Sequence, residues 1–123
     1  MMKSILGATR KHGLVFHRSG RIDLSALVVR TLGLAAGDVV DCIVDEDENV
    51  YIYKKYAATE VVGRHEATTY RDSFNSQCLR CNSVRLAHHI LSLCNAAACA
   101  KLAIGSAADI PPYGKCLNII IAR

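Results

Sequence analysis

Gly20 to Lys55 reads GRIDLSALVVRTLGLAAGDVVDCIVDEDENVYIYKK, and the order of elements written into it decides the fold. Ile22 and Leu24 alternate with Arg21 and Asp23, the period-2 pattern of a half-buried strand. Ser25 follows at once, and its hydroxyl can accept the unpaired N–H groups of a first helical turn. From Ala26 to Leu32 the apolar positions Leu27, Val28 and Leu32 recur at helical spacing, and Arg30 points away from them. Gly33 can take the left-handed conformation that stops a helix. Leu34 returns to the core, and Gly37-Asp38 turns the chain into the next strand. Val39 to Asp45 and Val50 to Lys54 then read as the arms of a hairpin around the acidic loop Glu46-Asp47-Glu48-Asn49.

Gly20-Arg21-Ile22, Arg30-Thr31-Leu32-Gly33-Leu34, Gly37-Asp38 and the ending Tyr51-Ile52-Tyr53-Lys54-Lys55, in that order, resemble the SpoVT/AbrB family of swapped-hairpin DNA-binding domains. The resemblance covers about a third of the chain and extends loosely back to Gly13. Family members usually carry proline where Leu24-Ser25 meets the helix; Ser25 stands there here and can still cap it. The family also tends to place two adjacent arginines on the helix, where this chain has Val29-Arg30. The resemblance implies a mostly β, α+β fold: a swapped-hairpin, double-split β-barrel with short helices. It further implies a DNA-binding transcriptional regulator, or the antitoxin partner of a toxin.

Composition agrees with a folded chain. Of 123 residues, 51% are hydrophobic and 21% charged, which excludes a disordered polyelectrolyte. No apolar run approaches the length that crosses a bilayer, so no membrane partner is expected. The start MMKSILGATRKHG has a basic flank without a long apolar segment, so a cytoplasmic protein with reduced thiols is expected. Net charge is +4 but uneven: residues 1–30 sum to +5, residues 31–50 to −6, and the remainder to +5. A basic front beside an acidic hairpin polarises the surface, as an anion-binding face requires.

Taken in order, residues 1–12 read as a basic arm and residues 13–55 as the unit just described, entered by the strand Leu14-Val15-Phe16-His17. Residues 56–76 read as a linker that can pair with a sheet edge. From residue 77 to 123 the pattern returns in degenerate form. Gln77 to Asn82 suits a short strand, Ser83 a cap, and Val84 to Cys94 a helix with Leu86, Ala87, Ile90, Leu91 and Cys94 on one face. Ala100, Leu102 and Ile104 alternate as a strand, Gly105 to Gly114 reads as a loop, and Leu117 to Ile121 as a buried strand. A lone unit of about forty residues cannot bury enough surface to be stable. Two units in one chain can build the barrel as an intrachain pseudo-dimer; the other arrangement is a single unit with an unrelated α/β tail, and a homodimer stays open.

The chemistry-bearing residues point the same way. Cys78-Leu79-Arg80-Cys81, with Cys94, Cys99 and His88-His89, has tolerable zinc spacing. Leu79-Arg80 reads as extended, however, and in a strand positions i and i+3 face opposite sides, so buried thiols and no metal are expected. No phosphate loop, dinucleotide fingerprint, nucleophile elbow or metalloprotease motif is present, so no catalytic residue and no cofactor is assigned. Lys11, His17, Arg18, Arg21 and Arg30 form the basic set of the first unit, with Arg80 and Arg85 added by the second. On the family geometry these are the DNA-binding residues, with double-stranded DNA as partner. The rival expectation is a protein-interaction or assembly domain that keeps the barrel without DNA affinity or catalysis.

Overall fold

Phe16 and Ile22 face each other across the first hairpin, and the interior is built outward from them. In the computed structural model, which describes residues 12–121, β1 (Leu14–His17) turns through Arg18-Ser19-Gly20 into β2 (Arg21–Leu24). Leu14, Phe16, Ile22 and Leu24 are buried while the residues between them face out. Gly20 sits at φ 102, and a Cβ there would meet Val84 Cγ2 at 2.9 Å, so both the turn and the close approach of the second helix require glycine.

Helix α1 (Ala26–Leu32) starts where Ser25 Oγ accepts the Val28 N–H and ends at Gly33 in the left-handed conformation. Val28 and Leu32, one turn apart, set its covered side. Leu27, expected on that side, is instead 49% exposed, because seven residues give room for one buried stripe and Leu27 lies about 100° around the axis from Val28. Strands β3 (Val39–Val44) and β4 (Val50–Tyr56) form the acidic-tipped hairpin, and a single 3-10 turn follows at Ala58–Glu60.

Strand β5 (Tyr70–Arg71) pairs with β6 (Leu79–Asn82), so the end of the span read as a linker does reach a sheet edge. Ser83 caps α2 (Val84–Leu93), accepting the Leu86 N–H at 3.1 Å. Next come β7 (Cys99–Leu102), β8 (Ile104–Ile110) and β9 (Gly114–Ile119). Two expectations change here. The strand read through Ile104 breaks at Ala103, where the chain leaves one sheet for the other. The span read as a loop from Gly105 is mostly the edge strand β8, whose small, exposed residues carry no alternating signal because its backbone alone pairs with β9.

Among the described residues, nine strands form two antiparallel sheets beside two helices, a mostly β, α+β architecture. One sheet has the order β5-β6-β2-β1-β7 and the other β3-β4-β9-β8. Both mix strands from before and after residue 60, and a bridge from Val39 to Thr68 links their margins. One apolar cluster, including Phe16, Ile22, Val28, Ile52, Ile90 and Leu117, lies between them. At the centres of the sheets stand β6 beside β2 and β4 beside β9. Among the described residues no helix is long and apolar enough to cross a membrane.

Candidate nucleic-acid interface

Burying Leu14, Phe16, Ile22, Leu24, Leu79 and Cys81 turns the alternate residues of β1, β2 and β6 to the other face of the five-stranded sheet. Registration then sets their neighbours. Arg21 lies across from Asn82, and Asp23 lies across from both Arg80 on β6 and Val15 on β1. Tyr70 flanks Arg80 on one side, while Lys101 on β7 pairs with Val15 on the other. The outer face therefore carries Arg21, Arg80 and Lys101 with His17, and Asp23 is at its middle.

Asp23 gathers the basic groups. His17 Nε2 stands 2.8 Å from its Oδ2, Arg80 Nε 3.1 Å from Oδ1, and Arg21 Nε 3.3 Å from Oδ1. His17 Nε2 also lies 3.1 Å from Arg21 Nη2, and one ring nitrogen cannot serve both neighbours. Protonated, it donates to Asp23; unprotonated, it accepts from Arg21. Arg21 Nη2 donates to Asp23 Oδ2 at 3.4 Å, while Arg21 Nε and Asp23 Oδ1 are buried yet outside hydrogen-bond geometry, which leaves Arg21 with an unused donor. Arg80 Nη2 reaches Asp72 at 3.6 Å. A hydrogen bond from Ser76 and, after it, the charge of Arg80 hold the Asp72 carboxyl below the usual carboxylate range.

The remaining basic residues spread outward. Arg18 sits at the β1–β2 turn, where Nη1 donates to the Ala97 carbonyl at 3.3 Å and its own carbonyl contacts His88 Nε2 at 2.9 Å. Arg30 is exposed on α1, against the connection from β5 to β6. Arg85 belongs to a different surface, a cleft of about 610 Å³ shared with Lys55, Arg64, His89 and Glu66. Its side chain is 87% exposed, with Nη1 3.6 Å from Glu66, whose other oxygen accepts the Ser83 hydroxyl at 2.7 Å. Glu66 thus already supplies the anion that the start of α2 favours. Lys11, and the basic arm apart from His12, lie outside the described residues.

Sequence reading missed Asp23, Asp72 and Lys101 as members of this face. Asp23 was visible as an alternating residue, but which cations surround it depends on registration between strands. For the thiols, burial pushes Cys81 up to about 12 and raises Cys42 as well, which keeps both protonated. Among the described residues no group of three or more His, Cys, Asp or Glu side chains is arranged to hold a metal. Comparison with protein-family models, with curated proteins and with solved structures finds no match to this chain.

Proposed function

We propose that this chain is a DNA-binding regulator of the SpoVT/AbrB kind, in which one polypeptide supplies both halves of the swapped-hairpin unit. A transcriptional regulator and the DNA-binding member of a toxin pair are the two forms this takes. The pairing of sheet centres supports the internal duplication. Helix α1 follows β2 and α2 follows β6, each behind a serine cap, and β2 and β6 lie side by side. The approach of Val39 to Thr68 parallels the pairing of β7 with β1. The match is offset by one residue in the strands: Leu24, before Ser25, is buried, whereas Asn82, before Ser83, is exposed. Aligning the buried residues instead brings Leu24 over Cys81 and puts Asp23 and Arg80 on the local axis.

The observation that carries the DNA reading is the outer face of the five-stranded sheet, where Arg21, Arg80 and Lys101 share one surface with His17 and border Arg18. Guanidinium groups held side by side on a sheet can bridge successive phosphates. Asp23 holds the arginines in the absence of ligand and gives them up to a stronger anion. The test is titration of fluorescent duplex fragments with wild type, Arg21→Ala and Arg80→Ala at several salt concentrations. Each substitution is expected to leave the circular dichroism spectrum unchanged and to reduce the salt slope by about one. Absence of duplex binding by the wild type at low salt would remove this reading.

A further inference from the structure

The basic face ends, beyond Arg80, in the connection between β5 and β6. That connection runs from Asp72 to Cys78, whereas β1 and β2 need only Arg18-Ser19-Gly20. It carries Phe74, 92% exposed, the most exposed large apolar side chain among the described residues. The loop around it is internally bonded. The Ser76 N–H donates to the Ser73 carbonyl at 3.2 Å, the Cys78 N–H to Ser76 Oγ at 3.0 Å, and Asp72 anchors the base to Arg80 at 3.6 Å.

Phe74 borders a groove of about 530 Å³ whose apolar wall includes Val29, Leu34 and Leu79, with Arg30 and Arg71 also lining it. The groove lining contains no carboxylate, and among the described residues neither arginine has an acidic oxygen within 4 Å. An uncovered phenyl group sharing a groove with two unpaired guanidinium groups fits a partner that offers an apolar slot beside anions. The stacked base step of a duplex, with a phosphate on each strand, has that chemistry; wedges of this kind prise apart base steps from the minor groove.

We infer that Phe74 is a DNA-contacting wedge that enters a base step while Arg30 and Arg71 hold the flanking phosphates, an inference that rests on the DNA reading above. It gives Arg30, which stands away from the central face, a contact of its own at the end opposite Arg18. Phe74 touches so little of the protein that its replacement leaves folding intact.

The experiment uses the full chain and a short duplex of alternating thymine and adenine, the steps that kink most readily, with one adenine replaced by 2-aminopurine. Saturation with wild type is expected to raise 2-aminopurine fluorescence as the base unstacks. Phe74→Ala is expected to bind roughly threefold to tenfold more weakly without that rise, and Phe74→Leu, which keeps an apolar wedge, to retain it. Arg30→Ala and Arg71→Ala are expected to keep the rise and each to flatten the salt slope by about one. If Phe74→Ala matches wild type in affinity and fluorescence, the wedge is wrong while the DNA reading stands. If wild type binds no duplex at low salt, both fall together. If Phe74→Ala instead abolishes self-association in sedimentation with DNA affinity unchanged, Phe74 is a protein contact and the wedge is likewise overturned.

Discussion

Asp23 restrains three basic side chains at once, and this single carboxylate sets how much positive charge the sheet face shows. Ion pairs this close to solvent contribute little to stability, so Asp23→Asn is expected to cost under about 1 kcal/mol. Its larger effect is electrostatic. On the proposed DNA reading, removing this negative charge is expected to strengthen duplex binding roughly threefold at low salt, with the gain shrinking as salt rises. Paired titrations of wild type and variant measure this. Weaker binding by the variant at every salt concentration would mean that the carboxylate instead orients Arg21 and Arg80 for contact.

At the scale of elements, Asp38 ties the exit of α1 to the hairpin. Its carboxylate, almost fully buried, accepts the Ala35 N–H and the Ala58 N–H, each at 2.8 Å, with Lys54 Nζ at 3.5 Å. Lys54 also donates to the Gly33 carbonyl at 2.8 Å, closing the end of the helix. Thr69 adds the other half's tie, donating from both its hydroxyl and its N–H to the Asp38 carbonyl. Burial raises the Asp38 pKa, but the two N–H donors and the Lys54 ammonium outweigh it and hold the carboxyl below the usual range. A depressed folded pKa contributes stability that is present above the unfolded value of about 3.9 and is lost as pH falls through the folded value. Asp38→Asn puts an amide N–H against one of these donors and is expected to cost about 2–3 kcal/mol at neutral pH. Urea unfolding across pH checks it: the gap between wild type and variant should close below about pH 4. A gap that stays constant there would show that charge on Asp38 is irrelevant.

For the whole molecule, the two sheets bind the halves into one cooperative unit. Cutting the chain after Tyr56 takes β6 away from β2 and β9 away from β4, leaving two sheet centres without partners. The intact chain is therefore expected to unfold in one urea transition, with far-ultraviolet circular dichroism and tyrosine fluorescence coincident. The fragment ending at Tyr56 is expected to show no cooperative transition as a monomer, because it cannot bury its share of the core. Two separated transitions in the intact chain, or a stable folded monomeric fragment, would contradict this account. Self-pairing of the fragment, detected by sedimentation, would show how its strands complete a core in the absence of the second half.

The sequence alone determined the local elements. The strand at Leu14–His17, the helix from Ala26 to Leu32 and both serine caps follow from short-range chemistry: alternation, hydroxyl placement and the freedom of Gly33. Signals weakened where packing, not periodicity, sets the structure. Strand β8 was illegible because Gly105-Ser106-Ala107-Ala108 sits on an edge and buries little, and Leu27 was misplaced because a short helix leaves its orientation to its neighbours. Tertiary structure alone decided the candidate site. A strand pattern tells which residues share a face, but only registration between strands brought Asp23 to Arg80, set His17 near Arg21 and added Lys101. It also moved Arg85 to a separate cleft with Glu66, because the direction of a helix in space is fixed by the sheet it covers.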